Sequence, residues 1–327
     1  MSKALKVSRV LSSAIRSLFV PTIVQIAIQP TENCDVGCSY CDRDWTATDE
    51  MTLGDVGLVV KKVKELHTGY INTTGGEPLT WKHIVAAISI FSRNQIGTFV
   101  STAGFSLDED MAHGLGLAGL DVCNLSLDGL VEVEHSRKTL NNHDSEFLDR
   151  FLELRKRYKV RLGMNSVISD GNVDQMIPLI DFAAKYKLAI SFSYLVPEIT
   201  PDSESGIILP PIPKEVIEAV GIAEKRGLIF GQLDYLADPS FDCFNAKKTA
   251  ICLSPQMLLM YCYLSKGMTP VHLKDFDKTA LRNHINGLEK YVKRCNDSCA
   301  SHCAFMSDYA KTHPLSVLRN AWRLLIN

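Results

Sequence analysis

Three thiols in one short stretch are the strongest chemical signal in this chain. They stand in PTENCDVGCSYCDRDW at Cys34, Cys38 and Cys41, spaced C-x3-C-x2-C, so a single loop can turn all three toward one centre. Thiolates are the usual ligands of iron-sulfur clusters, and three of them on a four-iron cluster leave one iron open to an exogenous group. The bland alternative is a structural zinc loop, but such sites take a fourth ligand and usually paired C-x2-C spacing. Two further motifs carry polar chemistry. One is the turn Gly75-Gly76-Glu77-Pro78, and the other is the run DVCNLSLD, whose period-two alternation puts Asn124, Ser126 and Asp128 on one face of a strand. Cys123 falls on the opposite face, where a thiol behaves as a small hydrophobe, and is excluded as a ligand.

The cysteine spacing, the aromatic Tyr40 before the third cysteine and the later GGEP turn together resemble the radical S-adenosylmethionine (radical SAM) superfamily. That resemblance implies a site-differentiated 4Fe-4S cluster on Cys34, Cys38 and Cys41. Its free iron would chelate S-adenosylmethionine, and reductive cleavage would give a 5'-deoxyadenosyl radical that abstracts a substrate hydrogen. It also implies cofactor contacts from Tyr40, Gly75, Gly76, Glu77, Pro78, Thr102, Ser126, Asp128, Arg137 and Asn165. Glycine permits a close backbone approach to a ligand, although GGEP also reads as an ordinary turn with Pro78 starting a helix. Glu77 reads either as a contact or as a carboxylate favoured by a helix end. Thr102 and Gly104 sit where similar enzymes carry Thr-Asn-Gly, but Ala103 replaces the amide. A surface ion pair is the alternative for Arg137, and a strand-end cap for Asn165.

Six more cysteines, Cys243, Cys252, Cys262, Cys295, Cys299 and Cys303, lie toward the C-terminus. Their arrangement resembles the Twitch or SPASM extension of the same superfamily, in which a hairpin and a helix bring thiolates around an auxiliary cluster. Met257 stands where the family's usual glycine would be, and C-x3-C-x3-C replaces its commoner C-x2-C start. Two auxiliary clusters would need about eight thiolates, so one auxiliary 4Fe-4S cluster is expected, held by Cys243, Cys262, Cys295 and Cys299 with Cys303 or Cys252 as substitutes. A surplus Cys252 could instead hand a hydrogen atom to a substrate radical.

These residues need a scaffold, and the chain alternates short β-rich runs with amphipathic stretches, the mark of β-α units around a parallel sheet. Strands are expected at Thr22 to Gln29, Tyr70 to Thr74, Gly97 to Ala103, Asp121 to Asp128, Val160 to Ile168 and Leu188 to Val196. Between them lie helices such as Asp55 to Leu66, where Val56, Val59, Val60, Val63 and Leu66 repeat at helical spacing. The fold class is α/β, a partial (β/α)6 TIM-like barrel with a small C-terminal iron-sulfur domain. Residues 1-20 form an amphipathic helix, 21-197 the barrel, 198-242 a Pro-rich linker and helix, and 243-327 the auxiliary-cluster domain. In the first helix Val7, Val10, Leu11, Ile15 and Leu18 oppose Lys6, Arg9, Ser13 and Arg16. Such a helix can lie on a membrane surface, but at this place it more often closes the bottom of the barrel.

With 46% hydrophobic and 22% charged residues the chain is neither disordered nor fibrous, and its net charge of -2 with dispersed basic residues disfavours a nucleic-acid partner. No signal peptide or membrane-spanning run is evident, which places the protein in the cytoplasm, where ten cysteines are more often metal ligands than disulfides. The short stretch before the first strand is too little for a leader-binding domain. The expected function is hydrogen abstraction from a sugar-like small molecule or a peptide, with oxidation, bond formation or epimerisation as the outcome. An external electron donor such as flavodoxin or ferredoxin would supply reduction. A non-catalytic zinc or iron-sulfur binding protein is the alternative.

Overall fold

The structure, a computed structural model, describes residues 3–17, 19–20, 22–41, 46–195, 212–229, 232–233, 250–260, 271–277, 279–280 and 283. Six parallel strands, β1 Gln25–Ile28, β2 Tyr70–Thr73, β3 Gly97–Thr102, β4 Val122–Ser126, β5 Arg161–Ile168 and β6 Ala189–Tyr194, lie side by side in chain order. Each falls inside its expected run, with the ends trimmed by a few residues. The helices α1 Lys3–Ser17, α2 Leu53–Glu65, α3 Ile84–Arg93, α4 Glu109–Ala118, α5 Phe147–Tyr158 and α6 Met176–Tyr186 precede or follow these strands, and α7 Lys214–Lys225 comes after the sixth. The sheet curls into a half-barrel.

A seventh parallel strand, β7 Ala250–Leu253, pairs with the outer side of β1, with Gln25 opposite Ala250 and Ile28 opposite Leu253. β8 Leu259–Met260 then turns back antiparallel, with Cys252 opposite Met260. The apolar run around Ile251, assigned by sequence to the appended region, therefore extends the barrel sheet. Local pattern could not show this, because strand pairing over such a separation is fixed only by the tertiary fold.

Burial sorts each strand into two faces. Ile26, Ile28, Ile71, Val100, Cys123, Leu125 and Ile190 are buried, and they join α2 to α6 in one continuous core. The alternating positions, among them Ala27, Asn72, Ser101, Asn124, Ser126 and Asn165, are only partly buried and line the concave face. Cys123 is fully enclosed on the helix side, as alternation required. α2 opens with a capping box: the Asp55 amide donates to Thr52 Oγ1 and the Thr52 amide to Asp55. It then buries Val56, Val59, Val60 and Val63. Trp81 is fully buried and fastens the start of this segment through its indole N–H to the Met51 carbonyl at 2.9 Å.

α1 lies against the N-terminal ends of β2 and β3, close to Gly69 and Gly97. The side it turns inward overlaps the apolar stripe only in part, with Val10 against Gly69 and Gly97. Lys6 and Ser13 are buried, whereas Leu5 and Ile15 are each 49% exposed. The reason is a specific partner. The Lys6 ammonium reaches the Asp121 carboxylate at 2.8 Å and the Gly119 carbonyl at 2.9 Å, so its aliphatic stem is drawn inward behind its charge. No described helix is long and apolar enough to cross a membrane.

Candidate active site

The loop leaving β1 and the turn leaving β2 are tied together backbone to backbone. The Gly76 amide donates to the Thr31 carbonyl at 3.0 Å and the Glu77 amide to the Asn33 carbonyl at 2.8 Å, immediately before the first cysteine. Gly75 has φ of +119°, a conformation that side chains rarely adopt, and a Cβ on Gly76 would stand 2.1 Å from the Asn33 carbonyl oxygen. The close approach that needs glycine is thus to residues 31–33 of the protein itself. The carbonyls of Gly75 and Gly76 accept no hydrogen bond among the described residues, so they remain available to a donor such as an amino group.

Beyond that tie the chain reverses, with Gly37 at φ of +64° and the Cys41 amide donating to the Cys38 carbonyl at 3.1 Å. Cys34, Cys38 and Cys41 gather with Val36, Tyr40, Ala103 and Phe105 in a small apolar cluster separate from the main core. Burial raises the Cys34 pKa, and hydrogen bonds from the Val36 and Gly37 amides oppose that by favouring the thiolate. This is a donor set that suits a cluster: soft sulfurs in a partly enclosed setting, with amides directed at sulfur. Among the described residues no three His, Cys, Asp or Glu side chains could hold one metal ion together.

Glu77 is 2% exposed, and both its oxygens are engaged within the protein. Oε1 accepts from the Leu79 amide at 3.0 Å and from Thr102 Oγ1 at 2.5 Å, while Oε2 accepts from the Ala103 amide at 2.8 Å. Burial pushes its pKa up to about 7 against those three bonds. Thr102 in turn accepts from the Gly104 amide, so Glu77 and Thr102 together lock the end of β2 to the end of β3. Pro78 is buried at the start of a short 3-10 turn over Pro78–Thr80, the ordinary turn geometry.

Asp128 is fully enclosed just past β4. Tyr40 Oη donates to it at 2.7 Å, Ser136 Oγ at 2.6 Å and the Val167 amide at 2.8 Å, and the Lys138 ammonium stands 3.3 Å away. Burial and the Asp128 charge hold the Tyr40 phenol far above its ordinary pKa, so it stays a donor. The carboxylate lies behind the cysteine loop rather than open on the concave face. Ser126 is partly buried two residues before it, and Asn165 accepts from Ser191 Oγ at 2.9 Å. Arg137 is exposed on the segment beyond β4.

The profile of the Radical SAM superfamily matches residues 28–183, the stretch that runs from the last residue of β1 into α6 and carries the cysteine loop and GGEP. Residues 28–183 form a radical SAM domain. Among curated proteins, GTP 3',8-cyclase of Marinobacter nauticus is 30% identical over 179 residues, 53% of this chain and 54% of that protein. GTP 3',8-cyclase of Syntrophomonas wolfei is 31% identical over 180 residues, 52% of this chain and 54% of that protein. The chain spans about half the length of these curated relatives. Among solved structures, Streptococcus suis SuiB bound to S-adenosylmethionine superposes with a TM-score of 0.60 at 16% identity, over 88% of this chain and 76% of that one. Native anSMEcpe with bound AdoMet gives 0.60 at 15% identity, over 91% and 99%. At such identities the likeness is one of fold.

Within the radical SAM domain, the structure brings Cys34, Cys38, Cys41, Tyr40, Gly75, Gly76, Glu77, Pro78, Thr102, Ser126 and Asp128 to the C-terminal ends of β1 to β4, where barrel enzymes build their sites. Asn165 is in register with Ser126 on the neighbouring strand. Cys252 is half-buried on β7 in register with Ala27, which places it on the concave face. Cys243, Cys262, Cys295, Cys299 and Cys303 lie outside the described residues. Sequence reasoning missed Ser136 and Lys138, which reach the site only because the segment after β4 folds back through bridges between Gly129 and Thr139 and between Val133 and Ser136. It also missed His143, stacked between Phe105 at 4.3 Å and Phe147 at 3.8 Å. No spacing rule marks either.

Proposed function

We propose that this chain is a radical SAM enzyme that abstracts a hydrogen atom from a small-molecule or peptide substrate. The reading rests on one observation above all: within the radical SAM domain, Cys34, Cys38 and Cys41 gather in one partly enclosed apolar cluster buttressed by the Gly75–Glu77 turn. When bound there, the 4Fe-4S cluster and S-adenosylmethionine supply a 5'-deoxyadenosyl radical by one-electron cleavage. The chain's own part is to hold and orient. The three thiolates hold the cluster, the Gly75 and Gly76 carbonyls receive the cofactor's amino group, and Ser126 and Asn165 take its ribose. Arg137 at the rim meets its carboxylate, while Glu77, Thr102 and Asp128 fix the loops from behind. The aromatic Tyr40 and the buried Pro78 shape the cleft. An external one-electron donor of the flavodoxin or ferredoxin class completes the system.

For the substrate, the concave row of Asn72, Ser101, Asn124, Ser126, Asn165 and Ser191 offers neutral donors and acceptors. Among the described strands its one cation is Arg161, at the far end of β5. That lining suits a hydroxylated or amide-bearing molecule better than a polyanion. A nucleotide is the second reading, favoured by the curated relatives that are named for GTP. Cys252 on the concave face fits the role of hydrogen-atom donor, which would make the outcome an epimerisation, while the remaining C-terminal cysteines hold one auxiliary 4Fe-4S cluster.

The test is anaerobic reconstitution, reduction and addition of S-adenosylmethionine, with 5'-deoxyadenosine assayed beside iron and sulfide. Wild type should form 5'-deoxyadenosine, and Cys34→Ala should reduce it to background. Absence of cleavage by a filled, reducible wild-type cluster would favour the binding-protein alternative. Supplying GTP beside neutral sugars and short peptides, in deuterated buffer, separates the substrate classes and shows whether Cys252→Ala abolishes deuterium incorporation.

A further inference from the structure

Cys38 is the most enclosed of the three loop cysteines, 6% exposed, and its sulfur lies 3.6 Å from the hydroxyl oxygen of Ser136, 98 residues away in sequence. That hydroxyl belongs to the Asp128 network, and its single proton can be traced. Ser136 Oγ donates to Asp128 at 2.6 Å and accepts from the Lys138 amide at 3.1 Å, so toward a protonated Cys38 it can only accept. A ligating cysteine is a thiolate with no proton to give. Two anionic acceptors, the Cys38 sulfur and the Asp128 carboxylate, then compete for one O–H. Asp128 keeps three other donors, Tyr40 Oη at 2.7 Å, the Val167 amide at 2.8 Å and the Lys138 ammonium at 3.3 Å, whereas among the described residues this hydroxyl is the sulfur's one side-chain hydrogen-bond partner. The hydroxyl is therefore the group free to turn. Lys138 also stands 5.0 Å over the Tyr40 ring, and Ser39 Oγ donates to the His135 carbonyl, so the segment after β4 clasps the cysteine loop at several points.

We propose that Ser136 and Asp128 are positioning residues that set the reduction potential of the cluster held by Cys34, Cys38 and Cys41, with Ser136 donating to the Cys38 sulfur and Asp128 acting as a buried negative charge behind it. The inference rests on the reading of that loop as a cluster site. A hydrogen bond to a ligand sulfur stabilises the reduced, more electron-rich cluster, and a nearby buried anion destabilises it. Lys138 offsets part of that anion. The two roles therefore carry opposite signs, which a merely structural role does not.

The experiment is an anaerobic redox titration of the reconstituted full chain followed by electron paramagnetic resonance, without substrate. Iron content is measured on each sample, and auxiliary-cluster signals are removed by substituting the C-terminal cysteines in a parallel series. Ser136→Ala should move the potential to more negative values, Asp128→Asn to more positive values, and Ser136→Thr, which retains the hydroxyl, should leave it near wild type. Unmoved potentials, or shifts of the same sign in Ser136→Ala and Asp128→Asn, overturn the inference while leaving the cluster assignment intact. Loss of the cluster from Ser136→Ala and Ser136→Thr alike, with wild type filled, shows a packing role and also overturns it. A wild-type chain that takes up no iron removes the underlying reading, and the inference with it.

Discussion

At the scale of single residues, the site depends on groups that are tightly enclosed, and their replacements should have sharp effects. Gly76 is an instance, because any Cβ there collides with a backbone oxygen rather than with a flexible side chain. Gly76→Ala should cost about 1–3 kcal/mol of stability, the usual range for overpacking, and should lower iron uptake because the displaced atoms lead straight into Cys34. Urea denaturation beside iron analysis checks both. His143 offers a pH test. Burial between Phe105 and Phe147 lowers its pKa from 6.5 to about 4; Asp144 pulls it up and Arg150 pushes it down, both less strongly than burial. Between those values the unfolded chain binds the proton and the folded chain does not. His143 therefore contributes a loss of stability as pH falls from about 6.5 toward 4. Thermal melts at pH values across that window should fall less steeply for His143→Phe, which keeps the stack and has no proton to bind; parallel slopes would contradict the assignment.

At the scale of elements, the strand ends are braced by buried or half-buried carboxylates that cross between neighbours: Glu77 joins β2 to β3, Asp128 joins β4 to the cysteine loop and to β5, and the half-buried Asp121 joins α1 to the bottom of β3. The last of these lies far from the cysteine loop and isolates a stabilising role. Asp121 receives Lys6 as well as the Thr98 amide at 3.0 Å, with the two charged side chains 10% and 21% exposed. Lys6→Met should lower stability by about 1–3 kcal/mol, because it leaves a carboxylate without its cation in a partly dry setting. The reconstituted first cluster and its spectrum should be unaltered, which differential scanning calorimetry and electron paramagnetic resonance on one preparation would report together.

At the scale of the whole molecule, the sheet gathers a cysteine loop after its first strand, polar braces at the next three strand ends and a concave thiol on β7. The radical SAM domain accounts for residues 28–183. If the C-terminal cysteines hold one auxiliary cluster, the reconstituted chain should bind about eight irons, four per cluster, and substituting Cys262, Cys295 and Cys299 together should leave about four. An unchanged count in that variant would move the auxiliary ligands elsewhere, and a wild-type count of four would remove the auxiliary cluster.

What the sequence determined by itself was whatever depends on short spacing. The Cys34, Cys38, Cys41 loop, the GGEP turn, the alternation of six β-rich runs with helices and the placing of Cys123 on the helix side all follow from residues a few positions apart, because loops, strand alternation and helical period are local. Tertiary structure decided what depends on distant pairing. It turned Gly76 toward Asn33, directed Glu77 and Thr102 at one another, and enclosed Asp128 behind Tyr40. It brought Ser136 to Cys38, joined β7 to β1, and drew Lys6 of α1 inward to Asp121. In each case a polar or backbone group had to find its partner once water was excluded. No local pattern records which distant group supplies that partner.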